Sequence, residues 1–216
     1  MKFETLKTAA FKAGITEIEV YESTSNGIGI SMFNGVVENN TSHQTHVCAI
    51  RGVYKNQIAM VYEENCSDEM IPSIIERLKD NCSIKNQKDP FFIYKGDATY
   101  PVLRDVIHDY DDYTLEDKVD LCSKLDTLMR KKDASVQMTE CSYSEAEEKV
   151  HIENSNGLNV ERHSRYAFLV AEAICVQNGE TKTNYEYTRC NTLKDIDLDA
   201  LATEAVTGAV ASFGAE

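Results

Sequence analysis

The stretch "FNGVVENN", residues 33–40, places an Asn-Gly pair between two short runs that have strand character. Both central residues of a type I′ turn need a positive φ angle, which asparagine and glycine tolerate, so the pair predicts a tight β-hairpin. The same dipeptide recurs at Asn26-Gly27, Asn156-Gly157 and Asn178-Gly179. We therefore predict a fold that is built on several antiparallel hairpins.

Composition excludes several classes of protein. No apolar run in the 216 residues approaches the ~20 residues of a membrane span, so we expect no membrane partner. The net charge of −14 argues against nucleic acid, because phosphates require clustered Lys and Arg. The only such cluster, residues 130–132, falls at the end of a predicted helix, where cations complement the helix dipole. The seven cysteines include no C-x-x-C pair, which predicts reduced thiols and a cytoplasmic location.

Secondary-structure signals occur in the same order twice. Residues 3–13 have helical apolar spacing and stop at Gly14, alternating strand patterns follow, and Ser67 is placed to cap a second helix. Later, Thr114 and Asp117 resemble a capping box, and further strands and a last helix follow it. The strands of this second block surround an acidic bend, for which we predict a solvated turn (Glu145, Glu147 and Glu148).

These patterns predict an α+β fold with two similar sub-structures of antiparallel β-sheet and flanking helices, as an internal duplication would produce. We place the first helix/sheet/helix unit at residues 1–83 and the second at 113–216. Residues 84–112 lose periodicity and contain two of the three prolines, so we predict a linker there.

One predicted strand is apolar on both faces. In "AFLVAEAICV", residues 167–176, only Glu172 is charged. A strand of this kind is normally covered on both sides, and one layer of helices covers only one of them. We therefore expect the other face to need a further domain or a second subunit.

The sequence offers little recognisable chemistry, and we predict no catalytic and no metal-binding residue. His43 and His46 lie in a strand-like stretch, where a three-residue offset directs them to opposite faces. The acidic run "RDVIHDYDDY", residues 104–113, lacks EF-hand spacing and is explained as the lead-in to a helix. The glycines of "GIGIS", residues 27–31, follow no phosphate-binding or nucleophile motif and favour a bulge or a close backbone approach.

Five stretches, in order, carry a resemblance to a known family: "EIEVYESTSNGIGISMFNGVVENN", "AIRGVYKNQIAMVY", "IENSNGLNVERHS", "CVQNGETKTNYEYTRC" and "ATEAVTGAVASFGAE". Together they resemble the N-terminal half of the TldD/PmbA family, and in particular its PmbA (TldE) branch, once called modulators of DNA gyrase. The stretch "NNTSHQTHVCAIRG" departs from the family, which is more basic and richer in glycine there.

The resemblance implies a longer protein whose C-terminal domain is absent from this chain. It implies a cytoplasmic zinc metallopeptidase that acts on unfolded peptides, such as peptide precursors and antitoxins, with zinc only in a TldD-type partner that carries a His-Glu-x-x-x-His site. That motif does not occur in these 216 residues. We thus expect a non-catalytic region that shapes a peptide chamber and a subunit interface, in a heterodimer with a TldD-like subunit or in a homodimer.

An antiparallel sheet edge binds an extended peptide through backbone hydrogen bonds, and so needs few signature side chains. On this basis we expect peptide or partner contacts at two hairpins, through Asn34, Gly35, Glu38, Asn156 and Gly157. The alternative is a stand-alone protein-binding module that modulates DNA gyrase or its inhibitors without peptidase activity. A hydrolase that uses a Cys or Ser nucleophile is a third possibility.

Overall fold

The computed structural model describes residues 1–86, 92–97, 99–101 and 106–215. Its four α-helices and six β-strands, apart from short 3-10 turns, follow one another along the chain as α1 (Phe3–Lys12), β1 (Glu17–Phe33), β2 (Val36–Tyr54), β3 (Gln57–Glu64), α2 (Ile71–Ser83), α3 (Leu115–Lys132), β4 (Val136–Asn154), β5 (Asn159–Gln177), β6 (Glu180–Cys190) and α4 (Leu198–Ala211).

The strands form one six-stranded sheet in the order β3-β2-β1-β4-β5-β6. The outer pairs β2–β3 and β5–β6 are antiparallel, with Ile50 opposite Val61 and Ala171 opposite Glu186. The α+β class with antiparallel strands and flanking helices is confirmed. Each block of three consecutive strands occupies one half of the strand order, and the internal duplication stays a prediction.

Three of the predicted Asn-Gly turns are present. Asn34 and Gly35 have φ angles of 51° and 75° between β1 and β2, and Asn178 and Gly179 have 51° and 82° between β5 and β6. Gly157, with φ of 104°, lies in the connection between β4 and β5. Both residues of the Asn34-Gly35 and Asn178-Gly179 turns, and Gly157 alone in the third, adopt a backbone conformation that other residues disfavour.

The predicted turn at Asn26-Gly27 is wrong. Strand β1 continues through both residues, and neither has a positive φ angle. A Cβ atom at Gly27 would lie 2.5 Å from the Glu145 carbonyl oxygen, so this glycine permits a close backbone approach. The alternative interpretation of the "GIGIS" glycines is therefore confirmed at Gly27.

The predicted acidic turn at residues 145–148 is also wrong, since β4 is continuous from Val136 to Asn154. Glu145 accepts a hydrogen bond from Lys118 at 2.9 Å and another from the Tyr143 hydroxyl. Glu148 accepts from Arg162 at 2.9 Å. Partners distant in sequence therefore hold these carboxylates within the strand.

The helix starts were predicted unequally well. Thr114 and Asp117 form the predicted capping box at the start of α3, with each side chain bonded to the other residue's backbone N–H. Ser67 makes no side-chain cap, which corrects the prediction there. A 3-10 turn follows Ser67, and α2 begins only at Ile71, with proline in its first turn, where a missing N–H costs nothing.

Contacts divide the molecule into two compact units, and each consists of several chain segments. The first unit comprises residues 1–26, 44–103 and 148–164, and the second comprises residues 27–43, 104–147 and 165–216. These units cut across the two blocks at 1–83 and 113–216 that the sequence suggests, and those blocks stay a prediction.

Each unit has its own hydrophobic core. In the first unit, α1 and α2 cover a sheet face that includes Ile18 and Ile50. In the second, α3 and α4 cover a face that includes Leu169 and Ala171. Among the described residues, no helix is both long and apolar enough to cross a membrane.

Candidate functional site

In the described part of the second unit, one sheet face carries no helix; it presents apolar and aromatic side chains together with Glu172 and Arg189. Alternate residues of β5, such as Leu169 and Ala171, are fully buried under α3 and α4. The intervening residues point to the opposite face and are only partly buried. On β6 the same face exposes Tyr185 and Tyr187, at 64% and 61%. We call this surface the open face and define it by Phe168, Val170, Ile174, Val176, Tyr185 and Tyr187.

Register places the side chains of the open face in contact across the two strands. Val170 lies opposite Tyr187, and Phe168 lies two residues before Val170, opposite Arg189. The Phe168 and Tyr187 rings have centroids 6.2 Å apart, and Tyr166 packs on Phe168 at 5.7 Å with its edge toward the ring. Such aromatic pairs supply rigid contact area for a binding partner.

A groove borders the open face at the edge of the sheet. Strand β6 is the last strand in the order, so one side of its backbone has no neighbouring strand. The groove has a volume of about 480 Å³ and lies between the end of β6 and the start of α4. Its charged lining includes Arg189, Asp197 and Glu204.

The first unit already holds a stretch of its own backbone. Asn156 donates from Nδ2 to the Ile93 carbonyl at 2.7 Å, and Glu17 accepts from the Ile93 N–H at 2.8 Å. Asn154 donates to the Tyr94 carbonyl at 2.7 Å and to Glu19 at 2.9 Å. Side-chain amides and carboxylates thus bind the main chain of residues 92–95 as they would bind a peptide.

The candidate contact residues of the first hairpin lie in the second unit. Asn34 accepts hydrogen bonds at Oδ1 from Arg130 at 2.8 Å and from the Thr139 N–H at 3.0 Å. These bonds hold the turn against α3 and β4, so the Asn34 oxygen is engaged within the protein. Gly35 forms the turn itself, and Glu38 is exposed on β2. The contact role of these three residues stays a prediction.

The candidates at the second turn, Asn156 and Gly157, lie in the first unit. Asn156 binds Ile93 as described, and a Cβ at Gly157 would meet no atom within 4 Å. Asn156 and Gly157 are therefore in one unit, and Asn34, Gly35 and Glu38 are in the other. The peptide contacts of all five residues stay a prediction.

The acidic run at residues 104–113 is engaged in structural bonds where it is described; Asp105 lies outside the described residues. Asp111 binds Arg165 through two 2.8 Å bonds, which hold the pKa of its carboxyl below the usual value. Asp109 accepts from the Leu193 N–H at 2.6 Å. These contacts connect the run to β5 and to the segment before α4, and its interpretation as a lead-in to α3 stays a prediction.

The structure also assembles a group of metal-ligand side chains that the sequence reasoning did not identify. Glu22 of β1 and His46 and Cys48 of β2 present one ligand atom each, all within 4.8 Å of one another. His46 and Cys48 are two residues apart and so share a strand face, a signal that was available from "HVC". Glu22 joins them only because β1 and β2 are neighbours in the sheet.

No cysteine has the environment of a reactive nucleophile. All seven are buried and free. Burial raises the pKa of Cys122 to about 12 and that of Cys190 to about 11, and it also raises the pKa of Cys48, Cys82, Cys141 and Cys175. A thiol that stays protonated is a poor nucleophile, which disfavours the thiol-hydrolase alternative.

Solved structures show the same fold. A candidate modulator of a DNA gyrase from Thermotoga maritima is 20% identical, with a TM-score of 0.80, and the match covers 100% of this chain and 49% of that one. A second, from Bacteroides thetaiotaomicron, is 16% identical, with a TM-score of 0.82 over 99% and 50% of the two chains. TldE from Thermococcus kodakarensis is 17% identical, with a TM-score of 0.74 over 96% and 47%.

The chain thus spans about half the length of these structures. A comparison with curated proteins found no match. Two family models match consecutive parts of the chain: PmbA/TldA metallopeptidase domain 1 matches residues 18–82, and the PmbA/TldA metallopeptidase central domain matches residues 108–213. The chain therefore belongs to the PmbA/TldD family and contains its first two domains.

Proposed function

We propose that this chain is the N-terminal, non-catalytic region of a PmbA/TldE-like subunit in a zinc metallopeptidase that cleaves unfolded peptides. In this role it supplies the scaffold, a wall of the peptide chamber and part of the subunit interface. The open face of β5 and β6 is the observation that carries the proposal. It exposes two tyrosines beside partly buried aliphatic side chains, and a contiguous apolar surface of this kind is typical of a partner-binding site.

The edge of β6 is the proposed peptide site. An extended peptide paired with this edge would alternate its side chains between the open face and the groove beside α4. Backbone hydrogen bonds would supply affinity that is independent of peptide sequence, which suits an enzyme for unfolded chains. Arg189, Asp197 and Glu204 would set a charge preference along the groove.

Catalysis is assigned to the partner. The His-Glu-x-x-x-His motif that the family resemblance implies for the peptidase zinc does not occur in this sequence. We therefore assign no catalytic step to this chain and propose that the peptidase zinc is bound by a TldD-like subunit. The chain's own contribution is binding and orientation of the peptide backbone.

The test uses the full-length subunit that contains this chain, co-expressed with a TldD-type subunit. Cleavage of an unfolded peptide is compared between Tyr187→Lys and Tyr62→Lys variants. The two tyrosines are a matched pair, since Tyr62 on β3 is 58% exposed and lies outside the open face. We expect Tyr187→Lys to lower kcat/KM about 10-fold, the effect of roughly 1.4 kcal/mol of lost binding, and Tyr62→Lys to leave it unchanged.

Two results would overturn the proposal. Zinc-dependent cleavage by the 216-residue chain alone would show that it is catalytic. Equal activity of the two tyrosine variants would remove the open face from function. Retention of DNA gyrase by the chain at moderate salt, without any peptidase activity of the pair, would instead support the protein-binding alternative.

A further inference from the structure

Three ligand atoms of the first unit converge at the edge of its hydrophobic core. The Nε2 atom of His46 lies 2.6 Å from a Glu22 carboxylate oxygen and 3.9 Å from the Cys48 sulfur. A zinc ion with bonds of about 2.0 Å to nitrogen and oxygen and about 2.3 Å to sulfur sets its ligand atoms roughly 3.3–3.6 Å apart. Each of the two separations is therefore within about 1 Å of the tetrahedral value.

The three side chains of the cluster differ in exposure. Cys48 is fully buried, whereas Glu22 and His46 are 29% and 28% exposed. An ion would thus reach the cluster from the solvent side and be held from the core side.

The chemistry of the three side chains selects the metal. A thiol, an imidazole and a carboxylate are ligands that Zn²⁺ prefers, whereas Mg²⁺ and Ca²⁺ prefer sets composed of oxygen alone. Three protein ligands leave the fourth tetrahedral position to water.

We propose that Glu22, His46 and Cys48 bind one Zn²⁺ ion that ties β1 to β2. The proposal does not depend on the proposed function. This zinc site contradicts the prediction from the sequence that the chain has no metal-binding residue. A measurement of zinc binding distinguishes the two predictions.

The experiment uses the untagged 216-residue chain, because a polyhistidine tag binds zinc itself. The chain is reduced, stripped with a chelator and titrated with Zn²⁺ by calorimetry, and separately with Co²⁺ by absorption spectroscopy. We expect one Zn²⁺ per chain, a raised thermal midpoint on binding, and a Co²⁺ complex with tetrahedral visible bands and a thiolate charge-transfer band.

Variants locate the site. His46→Gln and Glu22→Gln alter partly exposed side chains and are expected to fold, which circular dichroism checks; each should weaken zinc binding on the order of 100-fold. His43→Gln and Glu38→Gln are the matched controls, because both residues are exposed on β2 and lie outside the cluster. The controls should bind zinc as the original chain does.

Absence of saturable zinc binding, absence of the thiolate band, or equal affinity in His46→Gln and His43→Gln would each overturn the proposal.

Discussion

Residues 92–95 cover part of the sheet face that carries no helix in the first unit, where Met60 and Tyr62 of β3 stay exposed, and the corresponding face of the second unit is open. In the first unit, Glu17 and Glu19 of β1 point away from the core, and residues 92–95 lie on them, held through the main chain of Ile93 and Tyr94. In the second unit, the corresponding face of β5 and β6 exposes the tyrosines and aliphatic residues of the open face.

The difference lies in the chemistry that each face presents. Carboxylates and asparagine amides bind backbone N–H and C=O groups, so the first unit holds its own chain through polar bonds that bury Ile93 to 1% exposure. Burial of apolar side chains provides a driving force that does not depend on direction. The open face is therefore suited to a larger partner surface, and the first unit to one defined strand of backbone.

The largest expected effect separates the two faces of β5. Leu169 is fully buried under the helices, and Val170 lies next to it on the open face. We expect Leu169→Ala to lower the free energy of unfolding by about 3 kcal/mol, because it leaves a cavity, and Val170→Ala to lower it by less than about 1 kcal/mol. Urea unfolding of both variants measures the difference, and losses of similar size would mean that the open face is covered within this chain.

The next effect concerns the face that residues 92–95 partly cover. Asn154 is buried and makes four hydrogen bonds, two as a donor and two accepted from the N–H groups of Asn156 and Leu158. Asn154→Ala leaves the buried Glu19 carboxylate short of a donor, so we expect a loss of about 2 kcal/mol in the free energy of unfolding.

The matched control for this prediction is Asn159→Ala, whose side chain is exposed and accepts one bond from His151. Its expected loss is below about 0.5 kcal/mol. Equal losses from the two asparagines in urea unfolding would show that the network beneath residues 92–95 contributes no more than an exposed hydrogen bond.

Local signals explain which parts of the fold were predictable. The turn at Asn34-Gly35 and the cap at Thr114 depend on residues within a few positions, and both were predicted correctly. Gly27 was misassigned because its requirement for a small residue comes from the Glu145 backbone, more than a hundred positions away. The identity of two adjacent residues does not predict a close contact with a distant strand.

The candidate sites show the same limit. The doubly apolar pattern of residues 167–176 predicts a further domain or a second subunit on the face of β5 that α3 and α4 do not cover, and this stays a prediction. The grouping of Glu22 with His46 and Cys48 requires the pairing of β1 with β2, and the bond from Asn154 to Glu19 joins residues 135 positions apart. Single-strand patterns do not predict contacts of this kind.

A smaller effect tests how the first unit holds residues 92–95. Asn156→Ala removes the donor to the Ile93 carbonyl but leaves the bond from the Ile93 N–H to Glu17. We expect amide exchange at Ile93 to accelerate about 5-fold, equivalent to roughly 1 kcal/mol of lost local protection. Hydrogen exchange followed by NMR measures this; an unchanged rate would show that Asn156 does not hold the segment.

The smallest effect is electrostatic and concerns the start of the apolar stretch of β5, where Arg165 binds Asp111. The guanidinium lowers the pKa of the Asp111 carboxyl below its value in the unfolded chain, about 3.9. The pair therefore stabilises the fold above that unfolded value, and the contribution is lost as the pH falls through the lower, folded-state pKa. Because the Asp111 side chain is 78% exposed, solvent limits the contribution to about 0.5 kcal/mol or less.

Replacement of Arg165 by Gln should return the Asp111 titration toward its unperturbed range and abolish this small acid-dependent loss of stability. Carboxyl NMR titration of Asp111 measures the first effect, and urea unfolding at neutral and acidic pH measures the second. Arg162→Gln, which breaks an exposed pair with Glu148 in the first unit, is the control and should leave the Asp111 titration unchanged. If Asp111 titrated identically in the original chain, in Arg165→Gln and in Arg162→Gln, the Arg165–Asp111 contact would contribute no measurable interaction energy.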